Sequence, residues 1–243
     1  MLCYMLQETG ELGSPQEYLH PKHLSAWREH LGEPNTASVV SSIMARRTSP
    51  SGWFGVKAHW TQFANQIEDD DVMKTLDIQG WIRISRTDRI AQAVSLAIAR
   101  QTNAWIGFQD AQNEPVYDFK IIASAARGIR RMEEGWDRYF SKNEITPLVI
   151  EYENMIVNPG KVVADTCRHL GVAVPDQLPE PRTARQASKL NAEWRERFIR
   201  ESKGLTGLLR KGSWLVDRIW ARVRSRRLVG RRDLVSRSPQ NRA

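Results

Sequence analysis

Cysteine is scarce: Cys3 and Cys167 are the whole supply in 243 residues, too few for a disulfide framework and without metal-ligand spacing. A reduced, cytoplasmic setting is the expectation. Long apolar runs are missing too, since no stretch approaches the roughly 18 residues a membrane helix needs, and MLCYMLQETGEL at the start has neither a basic leader nor a small-residue cleavage site. We therefore expect no transmembrane span and no signal peptide. The five histidines (His20, His23, His30, His59 and His169) form no HExxH or other ligand cluster with the carboxylates, which argues against a metal enzyme. No internal repeat is present.

What the chain does have is an uneven charge. Of its net +8, residues 203 to 243 carry twelve Lys or Arg against Asp217 and Asp233, which leaves residues 1 to 202 at −2. The natural division is a near-neutral body, 1–202, and a basic tail, 203–243. With 41% hydrophobic residues, the body is large enough for one sizeable core.

Residues 53 to 60, WFGVKAHW, alternate strictly: Phe54, Val56, Ala58 and Trp60 share one face, and Gly55, Lys57 and His59 the other. That pattern predicts a strand. IQGWIRIS (78 to 85) and TPLVIEY (146 to 152) predict two more. Helical spacing links Ile90, Ala93, Val94, Ala97 and Ile98, and again Ile121, Ile122, Ala125, Ile129, Met132 and Trp136. A further helix opens at Pro159 and stops at Gly171. Residues 172 to 192 read as irregular, with a helix resuming near Ala192-Glu193-Trp194. Strands that alternate with helices indicate an α/β fold, a mostly parallel sheet flanked by helices, with ligands bound beyond the carboxyl ends of the strands.

SRTDRIAQAVS, residues 85 to 95, falls at such an end. An arginine beside the amides of a helix N-terminus makes an anion pocket: Arg86 brings a fork of donors and Ser95 a hydroxyl. The same residues also fit a solvated surface, with Thr87 or Asp88 as N-cap.

Four segments favour the pocket. GSPQEYL (13 to 19), GWFGVKAHWTQF (52 to 63), SRTDRIAQAVSLAIARQTNAW (85 to 105) and EYENMIVNPGKVVADTCRHLGV (151 to 172) together resemble the bacterial trehalose 2-sulfotransferase-like family, which includes lipopolysaccharide and Nod-factor sulfotransferases. The resemblance covers about residues 1 to 198, and R-x-D-x-x-x-Q-A-V-S followed by Q-T-x-x-W is its most specific part. It implies a P-loop-like α/β fold and transfer of a sulfuryl group from 3′-phosphoadenosine 5′-phosphosulfate to a carbohydrate or glycolipid hydroxyl, without a metal. Trehalose-like sugars are among the implied acceptors.

The resemblance also assigns residues. Arg86 and Ser95 match the positions that hold the nucleotide 3′-phosphate, and Arg185 matches a segment that closes over the nucleotide phosphates. Glu17 matches the glutamate proposed as catalytic base; taken alone, a Glu after a Gly-Ser-Pro turn reads as a loop or first-turn residue. Independently of the resemblance, Lys57 and His59 share a strand face and would point together into the crevice if Phe54, Val56 and Ala58 pack inward; there Lys57 would neutralise the transferring sulfate oxygens, and His59 would hydrogen-bond the acceptor or serve as an alternative base. Both equally suit a solvated strand face. Trp53, Trp60 and Trp105 offer stacking surfaces for sugar or adenine, or simply core. Such families open with a strand and a loop reading about R-S-G-S-T-L-L, and this sequence matches from the following helix onward. The expectation is a body missing that first strand and phosphosulfate loop, with a start codon upstream of the recorded one.

From Leu205 to Val229 an apolar stripe runs between arginines, a helix suited to an anionic membrane surface and so to a membrane-peripheral location. A terminal helix docked on the body accounts for it equally. Nucleic acid is disfavoured as a partner, because no recognition motif accompanies the charge. The competing function class is an impaired remnant that binds nucleotide or membrane without turnover.

Overall fold

The structure, a computed structural model, describes residues 1–66, 69–105, 109–181 and 189–208, with side chains as far as 203. Five helices come first: α1 (Leu2–Glu8), α2 (Pro21–Leu31), α3 (Thr36–Arg47), α4 (Trp60–Ala64) and α5 (Asp70–Leu76). The strand β1 (Ile82–Ser85) then leads through α6 (Arg89–Thr102) and α7 (Phe119–Lys142) to β2 (Leu148–Glu151). After it come α8 (Tyr152–Val157), α9 (Pro159–Leu170) and α10 (Lys189–Leu208). The chain divides into two units, Met1–Asn191 and Ala192–Ala243, and Glu17, Lys57, His59, Arg86 and Ser95 all belong to the first.

β1 and β2 pair in parallel, with Ile82 opposite Leu148 and Ser85 opposite Glu151. Parallel neighbours need a long crossover, and α6 and α7, packed on each other, provide it. Of the two caps offered for α6, Thr87 and Asp88, the structure uses Asp88, and α7 has a cap that the sequence reading did not name. Asp88 accepts the Ala91 amide at 2.9 Å to open α6, and Asp118 accepts those of Lys120 and Ile121 to open α7. Pro159 begins α9, and Gly171 ends it in the left-handed region at φ 69°, where glycine alone is free of a Cβ penalty.

One core cluster joins Leu2, Met5 and Leu6 of α1 to Ile150 of β2 and Val163 and Cys167 of α9. Another surrounds Leu19, Val40, Phe63 and Val72 with Trp60, Trp81, Trp136 and Tyr139. In it the Phe63 ring stacks on Trp136 at 5.1 Å and meets Tyr139 edge-on at 5.0 Å.

The strand predicted over 53–60 is not there. Val56 makes a single parallel bridge to Gln16, and Trp60 already starts α4. The alternation nevertheless reports the facing correctly, since Phe54, Val56, Ala58 and Trp60 all pack into apolar clusters. Period-2 burial needs only an extended backbone on a core, whereas a strand also needs a continuous ladder partner. Here the partner segment touches at one residue.

Trp60 fixes α4 against α7 through Gly135. A Cβ on that glycine would lie 2.3 to 2.5 Å from three atoms of the indole. The ring is held against Trp136 at 5.2 Å and Tyr139 at 6.4 Å, so relieving the clash would disturb the aromatic cluster. Gly135→Ala should therefore lose about 2 kcal/mol, the overpacking cost exceeding the gain of roughly 1 kcal/mol in helix propensity. A scan should show a thermal midpoint about 4 to 8 °C lower.

Candidate functional site

The bridge between Gln16 and Val56 decides where Glu17 goes. The Lys57 amide donates to the Gln16 carbonyl at 2.9 Å, and Tyr18, 3% exposed, turns its ring inward against Phe54 with its hydroxyl on the Ser14 carbonyl at 2.7 Å. Glu17 is thereby set beside Lys57 and His59. Lys57 makes a direct ion pair with Oε1 of Glu17, and Nε2 of His59 stands 3.8 Å from the same oxygen. The other oxygen, Oε2, accepts a 2.8 Å hydrogen bond from Nε2 of Gln62.

Burial alone would raise the Glu17 carboxyl, but the hydrogen bonds from Lys57 and Gln62 and the charges of Lys57 and His59 outweigh it and hold the group at about 2. For His59, burial lowers the imidazole below its usual range; the Glu17 charge pulls it up, and Lys57 and His20 push it further down. The cluster therefore presents an ionised carboxylate, an ammonium and an imidazole that favours its neutral form. Lys57 and His59 line a cavity of about 650 Å³, whose walls include Trp53, Trp81, Ile82 and Gln92. That volume suits a small ligand.

Arg86 stands at the exit of β1, 21% exposed. Its guanidinium lies 4.3 Å over the Tyr152 ring, a cation–π contact. Among the described residues its Nε is buried without a hydrogen-bond partner, with Oε1 of Glu153 at 4.0 Å. A buried guanidinium N–H left open is a standing call for an acceptor. The helix amides beside it are a different matter. Glu153 accepts the amides of Thr87 at 3.2 Å and Asp88 at 3.4 Å, so the start of α6 already faces a carboxylate. Burial would raise the Glu153 carboxyl, but these backbone donors more than offset it and leave it lowered. The two amides that lead into α6 are thus taken up by Glu153, and the open donor at this corner is the Nε of Arg86. Ser95, in the second turn of α6, accepts a 3.0 Å hydrogen bond from Nδ2 of Asn191.

A family model, the Stf0 sulphotransferases, matches residues 1–201. The chain belongs to the Stf0 sulphotransferase family. It is 32% identical over 193 residues to a trehalose 2-sulfotransferase of Mycobacterium tuberculosis, covering 72% of each chain. A trehalose 2-sulfotransferase of Mycolicibacterium smegmatis is 31% identical over 245 residues, covering 84% of this chain and 91% of the relative. The resemblance read from the sequence is therefore shown, and the small parallel sheet within a helical body fits an α/β sulphotransferase.

In this sulphotransferase the structure brings three of the sequence-predicted residues together, Glu17, Lys57 and His59. Arg86 and Ser95 lie on either side of the α6 start, Arg86 over the Tyr152 ring and Ser95 bonded to Asn191. Arg185 and the tail from 209 onward lie outside the described residues. Trp60 belongs to the aromatic core, Trp53 packs beside the α1 cluster and Trp105 is 53% exposed. Among the described residues no three His, Cys, Asp or Glu converge as metal ligands, and no helix is long and apolar enough to cross a membrane. Sequence reasoning missed Gln62. The signal for it was present: a polar cap position followed three residues later by Gln is the spacing of a capping box.

Proposed function

We propose that the chain transfers a sulfuryl group from 3′-phosphoadenosine 5′-phosphosulfate to a carbohydrate hydroxyl, with trehalose or a trehalose-containing glycolipid as acceptor. The observation that carries this reading is the Glu17 carboxylate, ion-paired to Lys57 and adjoining His59, two residues that line a cavity of small-ligand size. The two curated relatives, both trehalose 2-sulfotransferases, support the choice of sugar.

Sulfuryl transfer resembles phosphoryl transfer in its demands: in-line geometry and stabilisation of charge on peripheral oxygens. The acceptor oxygen forms a bond to sulfur as the bond from sulfur to the nucleotide's 5′-phosphate oxygen breaks. The hydroxyl proton passes to Glu17, and adenosine 3′,5′-bisphosphate departs. A carboxylate held at about 2 is a poor proton acceptor. Lys57, half exposed on a flexible stem, is drawn to the anionic sulfuryl oxygens when the donor arrives. Its departure removes both its hydrogen bond and its charge from Glu17, so burial then raises the carboxyl toward a useful basicity. Neutral His59 is placed to hydrogen-bond the sugar. Arg86, with its open Nε, takes the 3′-phosphate with Ser95, and Arg185 closes over the nucleotide phosphates.

Incubation with sulfur-35-labelled donor and a panel of sugars tests the reading. Label should appear on trehalose or a trehalose glycolipid and not on phenols or amines. Transfer to phenols in preference to every sugar, or no transfer to any acceptor, would refute it.

A further inference from the structure

Gln62 is the most buried polar residue in contact with Glu17, at 6% exposure, and no role so far has used it. It occupies the third position of α4, and its Oε1 accepts the backbone N–H of His59 at 2.9 Å. That bond settles which way the amide points. Turned over, its NH₂ would face the His59 N–H and its oxygen would face the Glu17 carboxylate, so two repulsive contacts would replace two hydrogen bonds. With the amide fixed, Nε2 donates to Oε2 of Glu17 at 2.8 Å. One side chain therefore ties the start of α4 to the carboxylate.

Glu17 is consequently held by two donors of opposite character. Lys57 is charged, 47% exposed and long; Gln62 is neutral, enclosed and locked at its other end by the helix cap. On an anion's arrival only the first can leave. We infer that Gln62 is a positioning residue, holding Oε2 of Glu17 in place while Oε1, released by Lys57, takes the acceptor's proton. The inference rests on Glu17 being the base of the proposed reaction. The ionisable groups that bear on Glu17 are Lys57 and His59 from the extended segment and Cys3 from α1. Lys57 and His59 both face Oε1, and Oε2 is bonded by Gln62.

Two substitutions separate positioning from folding. Gln62→Met keeps the volume and removes both hydrogen bonds; Gln62→Glu keeps the acceptor for the His59 amide but sets a second carboxyl against Glu17. Thermal midpoints of both variants establish that they fold. Carbon-13 titration of the Glu17 carboxyl, a readout independent of turnover, should move upward by about one pH unit in Gln62→Met and further in Gln62→Glu. Turnover should fall through kcat by about tenfold to a hundredfold, with KM for the sugar little changed, because the base is misplaced rather than the acceptor. In a Glu17→Gln background, Gln62→Met should add no further loss in kcat. A folded Gln62→Met protein with the parent's Glu17 titration or the parent's kcat overturns the inference. Full turnover in Glu17→Gln instead removes the base itself, and with it the reading on which the inference stands.

Discussion

Glu17→Gln should lower kcat by roughly 10² to 10⁴, the usual contribution of a positioned general base. The substitution preserves shape and removes only the charge and the proton-accepting oxygen. An amide has one oxygen to offer where the carboxylate offered two, so either Lys57 or Gln62 loses its acceptor. Donor binding should survive, because Lys57 is then free for the sulfuryl oxygens. The expected result is a collapse of kcat with a near-constant KM for the donor, measured by initial rates across pH.

Stability follows the same group in the opposite sense. Glu17 has a depressed folded value, from an ordinary 4.5 to about 2, so its contribution is fully present above 4.5 and is lost as pH falls toward 2. That contribution is at most ~3 kcal/mol for a side chain 25% exposed. Parent and Glu17→Gln should therefore differ in thermal midpoint at neutral pH and converge near pH 2. A gap that persists at pH 2 would mean that the charge of Glu17 is not its source.

The second large effect belongs to Arg86. Adenosine 3′,5′-bisphosphate at about 100 times its dissociation constant should stabilise the parent by roughly 2.7 kcal/mol. Arg86→Ala removes a charge-assisted fork, and a hundredfold weakening would leave about 0.4 kcal/mol at the same ligand concentration. Arg86→Lys should recover little, since the ammonium has no planar fork and cannot stack on Tyr152 in the same way. Differential scanning with and without ligand gives the answer directly. An undiminished shift in Arg86→Ala would place the nucleotide elsewhere.

The elements that the sequence announced most clearly were those whose boundaries are local chemistry. Pro159 and Gly171 mark α9 from its first turn to its end, and Asp88 marks the start of α6. The parallel pairing of 82–85 with 148–151 follows from short apolar runs separated by helices. The segment 53–60 misled, because alternation records which side chains meet a core and says nothing of the neighbour that would complete a ladder. α2 went unread for a different reason: its stripe of Leu24, Trp27 and Leu31 has helical spacing but is short and only partly buried against the Tyr18 cluster. At the site, Glu17, Lys57 and His59 could be named singly, but their meeting depends on a bridge between Gln16 and Val56, 40 residues apart for the Glu17–Lys57 contact. The blocking of the α6 amides by Glu153 is a contact across 66 residues and left no trace in the local pattern.

Trp60 follows His59 directly and shares its aromatic cluster with Trp81, Trp136 and Tyr139. Indole emission responds to ring contacts and local polarity, and neighbouring indoles exchange excitation. A displacement of α4 as sugar or donor enters will therefore register as a change in intrinsic fluorescence. The molecule has an optical reporter one residue from its candidate site, and no dye need be attached to watch that site fill.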